Sequence, residues 1–135
     1  MIPINIEDLL NKQRIESNRI EFKAGWNPVA IYHSICAFAN DFDNIGGGYI
    51  LVGVEERDGV AVRPVKGLEP QELDGIQKKM VGLNNLIEPY YLPRVSVETV
   101  DERQILAIWV PNGENRPYCV PRDVTSAVKQ NEYYI

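Results

Sequence analysis

The chain has 135 residues, 44% hydrophobic and 24% charged, a composition typical of one soluble globular domain with its own core. Its formal net charge is −5, whereas nucleic-acid-binding domains usually carry a basic excess. No apolar run approaches the roughly 18 residues that a membrane span requires, and the N-terminal segment lacks the pattern of a signal peptide.

Two cysteines, Cys36 and Cys119, occur without CxxC spacing or a histidine-rich neighbourhood, so they do not indicate a metal site. Free cysteines usually pack in the interior as small apolar groups. With no secretion signal, we expect two reduced thiols and a cytoplasmic protein.

The first half of the chain predicts a helix, a strand, a second helix and a hairpin. Asn5 can cap a helix whose first turn is acidic. Residues 19–23, "RIEFK", alternate apolar and charged side chains as a half-buried strand does. Pro28 suits the first position of the next helix. A nearly continuous apolar strand, "GGGYILVGV", follows, and Asp58-Gly59 predicts a hairpin turn after it.

The second half predicts one more helix and a long hairpin. Residues 69–86 have the pattern of an amphipathic helix, which Gly75 and Gly82 weaken. Residues 94–100 and 104–110 alternate well and are joined by "DER". Residues 112–124 are rich in turn formers, and the closing "NEYYI" begins a further strand.

This order of elements predicts an α+β fold: a mixed, mainly antiparallel sheet with two or three helices packed on one of its faces. We expect residues 1–135 to form a single domain. Because the last predicted strand has only begun at Ile135, we also expect the chain to be the N-terminal part of a longer protein.

Two features that resemble catalytic or nucleotide-binding motifs favour structural interpretations. The "NIGGGY" segment lacks the GK[ST] ending of a phosphate-binding loop, and its glycines precede a strand instead of opening a helix. They indicate a turn that needs positive φ and close backbone approach. His33, the single histidine, has no partners placed as in a catalytic triad.

Three segments in this order and spacing, "ESNRIEFKAG", "ICAFANDFDNIGGGYILVGVEERDGV" and "RPY", resemble the Schlafen/AlbA-like domain. The resemblance covers essentially the whole chain. This domain stands at the N-terminus of many bacterial proteins named as transcriptional regulators or RecG-like ATP-dependent helicases. The resemblance implies DNA binding, with any ATPase activity in a C-terminal part of the longer protein.

In animal Schlafens a related fold carries a metal-dependent endoribonuclease that acts on structured RNA through three acids. The resemblance maps these acids onto Glu16, Glu21 and Glu56, the last where the family more often has Asp. Carboxylates are the ligands that Mg²⁺ and Mn²⁺ prefer, and a metal would steady the leaving oxygen of a phosphodiester. Alternatively, Arg19, Glu21 and Lys23 neutralise one another as an ordinary surface charge network.

Basic side chains near the same strand are the candidates for phosphate contact. Arg19 and Lys23 alternate with the apolar Ile20 and Phe22, so we expect both cations on an exposed strand face. Asn40 ends a helix and either caps it or reaches into a groove. The predicted nucleic-acid-binding residues are Arg19, Lys23, Asn40, Lys66 and Arg116.

The function predicted from the sequence is a DNA-binding module of a bacterial transcriptional regulator or helicase-related protein, without catalysis of its own and without a cofactor. RNA remains open as the partner. One alternative is the Mg²⁺- or Mn²⁺-dependent endoribonuclease with Glu16, Glu21 and Glu56 as metal ligands. A second alternative is a protein-interaction domain that forms a homodimer.

Overall fold

The computed structural model describes residues 2–11, 19–43 and 46–135. Its helices are α1 Ile6–Leu10, α2 Pro28–Asn40, α3 Pro70–Leu83 and a short 3₁₀ helix Asn84–Leu86. Its strands are β1 Arg19–Lys23, β2 Gly48–Val52, β3 Glu56–Arg57, β4 Val60–Ala61, β5 Arg94–Val100, β6 Arg103–Val110, β7 Cys119–Pro121 and β8 Asn131–Tyr133. None of these described helices has the length and apolar character needed to cross a membrane.

The central sheet has the strand order β1-β2-β6-β5. Strands β1 and β2 are parallel, and α2 lies in the connection between them, as a parallel pair requires a crossover. Strands β2, β6 and β5 pair antiparallel. The predicted α+β fold with a mixed, mainly antiparallel sheet is confirmed.

Helix starts and hairpin turns follow the local signals in the sequence. The Asn5 side chain accepts a hydrogen bond from the Glu7 amide at 2.8 Å and caps α1. Pro28 is the first residue of α2. Asp58 and Gly59 join β3 to β4 with φ values of 53° and 80°, as expected for a two-residue turn with positive φ at both central positions. These predictions are confirmed.

The two faces of the sheet carry separate apolar clusters. On one face, β2 and β6 contribute residues such as Ile50 and Ile108 to a core with α2 and α3. On the other face, Tyr49 packs in a cluster with Leu9 and Leu10 of α1. The prediction that all helices lie on one face is therefore wrong, because α1 buries its two leucines against the opposite side.

The C-terminal region contains one strand that was predicted, β8 in "NEYYI", and one that the sequence patterns missed, β7. Residues 112–124 were predicted as turns, yet β7 lies among them and pairs antiparallel with β8. Glu88 forms an isolated bridge to Cys119 on the other side of β7. Cys36 and Cys119 are buried free thiols, as predicted. Burial raises the pKa of the Cys36 thiol to about 11, which keeps it protonated and unreactive at neutral pH.

One arginine fastens α1 to the rest of the domain. Arg63 donates hydrogen bonds to both carboxylate oxygens of Glu7 in α1, at 2.5 and 3.0 Å. It also donates to both oxygens of Asp101 in the β5–β6 turn, at 3.1 and 2.7 Å. The hydrogen bonds from Arg63 lower the pKa of Glu7 and of Asp101, and the Val65 amide lowers that of Asp101 further.

We predict that the hydrogen bonds of Arg63 to Glu7 and Asp101 make the folded domain less stable in acid than at neutral pH. The pKa values of both carboxyl groups are lower in the folded chain than in the unfolded chain. The Arg63 hydrogen bonds therefore give their full stabilisation at pH values above the ordinary carboxyl pKa. This stabilisation is lost as pH falls from about 5 towards 2. Urea unfolding at several pH values should show a smaller acid loss in Arg63→Ala than in the wild type. Lys79→Ala, which removes an exposed cation of α3, should keep the wild-type pH dependence. If the free energy of unfolding depends on pH equally in Arg63→Ala and the wild type, the role given to the Arg63 hydrogen bonds is refuted.

Candidate nucleic-acid interface and acidic cleft

The predicted site residues do not form one surface. Arg19 and Lys23 stand at the two ends of β1, about 13 Å apart along the strand. Arg116 lies at the same end of α2 as Arg19, because its Nη1 donates a hydrogen bond to the Asp41 carbonyl. Lys66 belongs to the other end of the sheet, because the backbones of both Lys23 and Gly67 bond to Gly53.

The side chains of Arg19, Glu21 and Lys23 face the α2 side of the sheet. Glu21 pairs with the buried Ile50 of β2, and paired residues share a face. The exposed fractions of the three side chains are 33%, 39% and 29%. The prediction of an exposed strand face is wrong, because residues of α2 contact Arg19 and Glu21 and the three side chains are only about one third exposed.

Arg19 lies against the last turn of α2. Its Nη2 donates to the Ala37 carbonyl at 3.2 Å, and the same nitrogen is 3.7 Å from the Asp41 carboxylate. Its guanidinium carbon is 4.9 Å from the centroid of the Phe38 ring. A cation is favoured at the carbonyl end of a helix, where the helix dipole is negative.

Arg116 approaches the same helix end from the "RPY" segment. Its Nη1 donates to the carbonyls of Asn40 and Asp41, at 3.2 and 2.7 Å. Its guanidinium carbon is 6.0 Å from the centroid of the Phe42 ring, which is 52% exposed. We call Arg19, Asp41, Phe42 and Arg116 the helix-end surface.

Asp41, which the sequence reasoning missed, organises the helix-end surface. It is 1% exposed, and its Oδ2 accepts hydrogen bonds from the amides of Gly46 and Gly47 at 2.7 and 2.8 Å. Gly46 and Gly47 have φ values of 111° and 81°. A Cβ atom on Gly47 would lie 1.9 Å from the Val110 carbonyl oxygen. The prediction that the glycines form a turn with positive φ and close backbone approach is confirmed.

Asn40 is not on the surface. It is 0% exposed, and its Nδ2 donates to the carbonyls of Tyr118 and Tyr134 at 3.0 and 2.6 Å. Its Oδ1 accepts from the Tyr118 amide at 2.6 Å. The prediction that Asn40 contacts nucleic acid is corrected here, because its amide joins α2 to the C-terminal segments in the interior.

A second group of polar residues lines an open cleft of about 440 Å³ beside β1. Glu21 Oε2 accepts a hydrogen bond from Ser34 Oγ at 2.6 Å and lies 4.0 Å from Lys23 Nζ. Glu56 lines the same cleft. We call this the acidic cleft; its residues are Glu21, Lys23, His33, Ser34 and Glu56.

His33, at the edge of the acidic cleft, has structural contacts. Its Nε2 donates to the Arg122 carbonyl at 2.8 Å, since a carbonyl oxygen can only accept. Its ring stacks on Tyr134 with centroids 4.0 Å apart. The imidazole therefore joins α2 to the C-terminal segments, as Asn40 does about two turns further along the helix.

Two of the three acids predicted to bind a metal ion, Glu21 and Glu56, are among the described residues. Glu16 lies outside the described residues, whereas Glu21 and Glu56 share the acidic cleft. Within residues 2–11, 19–43 and 46–135, no three His, Cys, Asp or Glu side chains form a group that could hold a metal ion. Lys23 beside Glu21 agrees with the alternative of a local charge network.

Lys66 is separate from both groups. It is exposed and lines a shallow cleft with Arg103, Glu69 and Glu102, so two acids balance the two cations there. Arg103 also donates to the Val65 carbonyl at 2.8 Å. Lys66 thus does not extend the helix-end surface.

The family model "Schlafen, AlbA_2" matches residues 16–135. The chain belongs to the Schlafen AlbA_2 family. The match includes the strand, the glycine turn and the "RPY" segment that build the helix-end surface. The family resemblance predicted from the sequence is confirmed.

Two solved structures share the fold. The N-terminal domain of an ATP-dependent DNA helicase RecG-related protein from Nitrosomonas europaea has a TM-score of 0.62 and 21% identity, over 94% of this chain and 85% of that one. The DIP2311 protein from Corynebacterium diphtheriae has a TM-score of 0.54 and 20% identity, over 84% of this chain. The match spans only 26% of the Corynebacterium chain. A search of the curated proteins gave no match.

We predict that Asn40→Ala lowers the free energy of unfolding by about 3 kcal/mol, because it removes three hydrogen bonds to the backbone of Tyr118 and Tyr134 and takes the Asn40 acceptor away from the buried Tyr118 amide. Chemical unfolding monitored by circular dichroism measures this free energy. Asn85→Ala removes an exposed amide and should cost less than about 0.5 kcal/mol. A similar small effect of Asn40→Ala would contradict the role given to its hydrogen bonds.

Proposed function

We propose that this domain binds nucleic acid, DNA in the first place, through the helix-end surface. The observation that carries the proposal is the convergence of two guanidinium groups, Arg19 and Arg116, at the end of α2, where Arg116 lies beside the exposed ring of Phe42. Membership of the Schlafen AlbA_2 family supports it. So does the name of the Nitrosomonas protein, whose N-terminal domain has the same fold and which is related to a DNA helicase.

Arginine is well suited to this task because its planar donors match the geometry of a phosphate. The hydrogen bonds of Arg116 to the described residues use Nη1 alone. Its Nε and Nη2 are therefore donors for an incoming phosphate oxygen. Most protein–DNA hydrogen bonds go to phosphate and sugar, and they position the protein without reading sequence.

The net charge of −5 limits the strength of such binding. The field of the whole domain repels phosphate, so attraction depends on a few local contacts. Two phosphate contacts would give a slope of log affinity against log salt of roughly −1.4 to −1.8. We therefore expect weak binding with a shallow salt dependence. We also expect that a second element of a larger protein adds affinity.

We place the domain within a larger bacterial protein, either a transcriptional regulator or a helicase-related protein, in the cytoplasm. The fold matches only 26% of the Corynebacterium chain, which supports the proposal that such a domain is one part of a larger protein. In such a protein the domain would hold nucleic acid close to a catalytic or regulatory module that acts on it.

We predict that Arg116→Ala weakens DNA binding about tenfold and makes the salt slope shallower by about one unit. Fluorescence anisotropy with labelled DNA from about 50 mM salt upward measures both. Lys79→Ala makes the same change of net charge on α3 and should leave the affinity nearly unchanged. If both variants lose affinity equally, only the net charge matters and the helix-end surface is not the contact.

A second candidate function is a divalent-metal-dependent ribonuclease at the acidic cleft. The observation that favours it is that Glu21 and Glu56 line the same cleft. Carboxylates there suit Mg²⁺ or Mn²⁺.

For this candidate we predict Mn²⁺-dependent cleavage of a structured RNA that drops at least 100-fold in Glu21→Gln, since a metal ligand is lost. Gel analysis of labelled RNA measures it. Glu114→Gln, which neutralises an exposed acid elsewhere, is the control. No cleavage by the wild type, or equal cleavage by Glu21→Gln, would eliminate the nuclease.

A further inference from the structure

Phe42 is the one phenylalanine of three whose ring is exposed. Phe22 and Phe38 are 8% and 3% exposed, whereas Phe42 is 52% exposed. It follows the C-cap residue of α2 and precedes the glycine turn. The cores on the two faces of the sheet do not include this ring, and the Arg116 guanidinium lies beside it.

The backbone at Phe42 is fixed although its side chain is exposed. The preceding residue, Asp41, is buried and its carboxylate holds the amides of Gly46 and Gly47. The Asp41 carbonyl accepts from Arg116. A ring on such an anchored backbone loses little conformational entropy when a ligand stacks on it.

The charged groups around the ring have the chemistry of a nucleotide site. The Arg116 guanidinium lies 6.0 Å from the ring centroid, within the range of a cation–π contact. Arg19 reaches the same helix end through Ala37 and Asp41. A flat apolar face with one guanidinium beside it, and a second guanidinium at the same helix end, matches an unpaired base and its flanking phosphates.

We propose that Phe42 stacks on an unpaired base while Arg116 and Arg19 hold the adjoining phosphates, so that the helix-end surface selects single-stranded nucleic acid over duplex. This inference rests on the proposed function of the same surface. In a duplex the bases are stacked on one another and present only their edges in the grooves. In a single strand each base offers a π face, and stacking tolerates any base.

The test compares a labelled single strand of about 12 nucleotides with the same sequence as a duplex, at about 50 mM salt. We expect the wild type to bind the single strand roughly tenfold more tightly. Phe42→Leu should lose roughly tenfold on the single strand and nothing on the duplex, whereas Phe42→Trp should keep the preference. Val81→Ala removes another exposed apolar side chain, 72% exposed on α3, and should change neither affinity.

A second readout reports stacking itself. A 2-aminopurine base in the single strand loses fluorescence when it stacks on an aromatic ring, so the wild type should quench it and Phe42→Leu should not. Equal binding of single strand and duplex, with Phe42→Leu unchanged and Arg116→Ala weakened, would overturn the stacking inference and leave nucleic-acid binding intact. No binding of either form by the wild type would overturn both.

Discussion

Two buried polar side chains at the end of α2 hold together the part of the domain on which the proposed function depends. Asn40 bonds to the backbone of Tyr118 and Tyr134, 78 and 94 residues further along the chain. The Asp41 carboxylate accepts hydrogen bonds from the amides of the glycine turn and forms an ion pair with Arg19. Because a buried polar group without a partner is costly, each of these segments is held against the helix end.

The same arrangement determines where the cations lie. The carbonyls of Ala37, Asn40 and Asp41 accept hydrogen bonds from Arg19 and Arg116, and the negative end of the helix dipole favours both charges there. The two guanidinium groups are thus held in place before any ligand arrives. In a domain with a net charge of −5, a few fixed cations are a better basis for phosphate contact than a diffuse basic field.

Features with local signals were predictable from the sequence, including the start of α2 at Pro28 and the alternation of β1. The face that α2 covers was not predictable, because alternation says which residues share a side and only the register with β2 says which side that is. For Asn40 the sequence predicts a helix cap or a groove contact, and neither includes its actual partners, which lie 78 and 94 residues away. Arg116 was found through the family resemblance, whereas Phe42 has no periodic pattern around it.

Contact between the helix-end surface and nucleic acid is tested most directly by amide and arginine-side-chain NMR spectra recorded during titration with a short oligonucleotide. We predict that the largest chemical-shift changes occur at the Arg116 Nε–H and at the amides of Phe42 and Gly47. Changes confined to Glu21, Lys23 and their neighbours in the acidic cleft would contradict it.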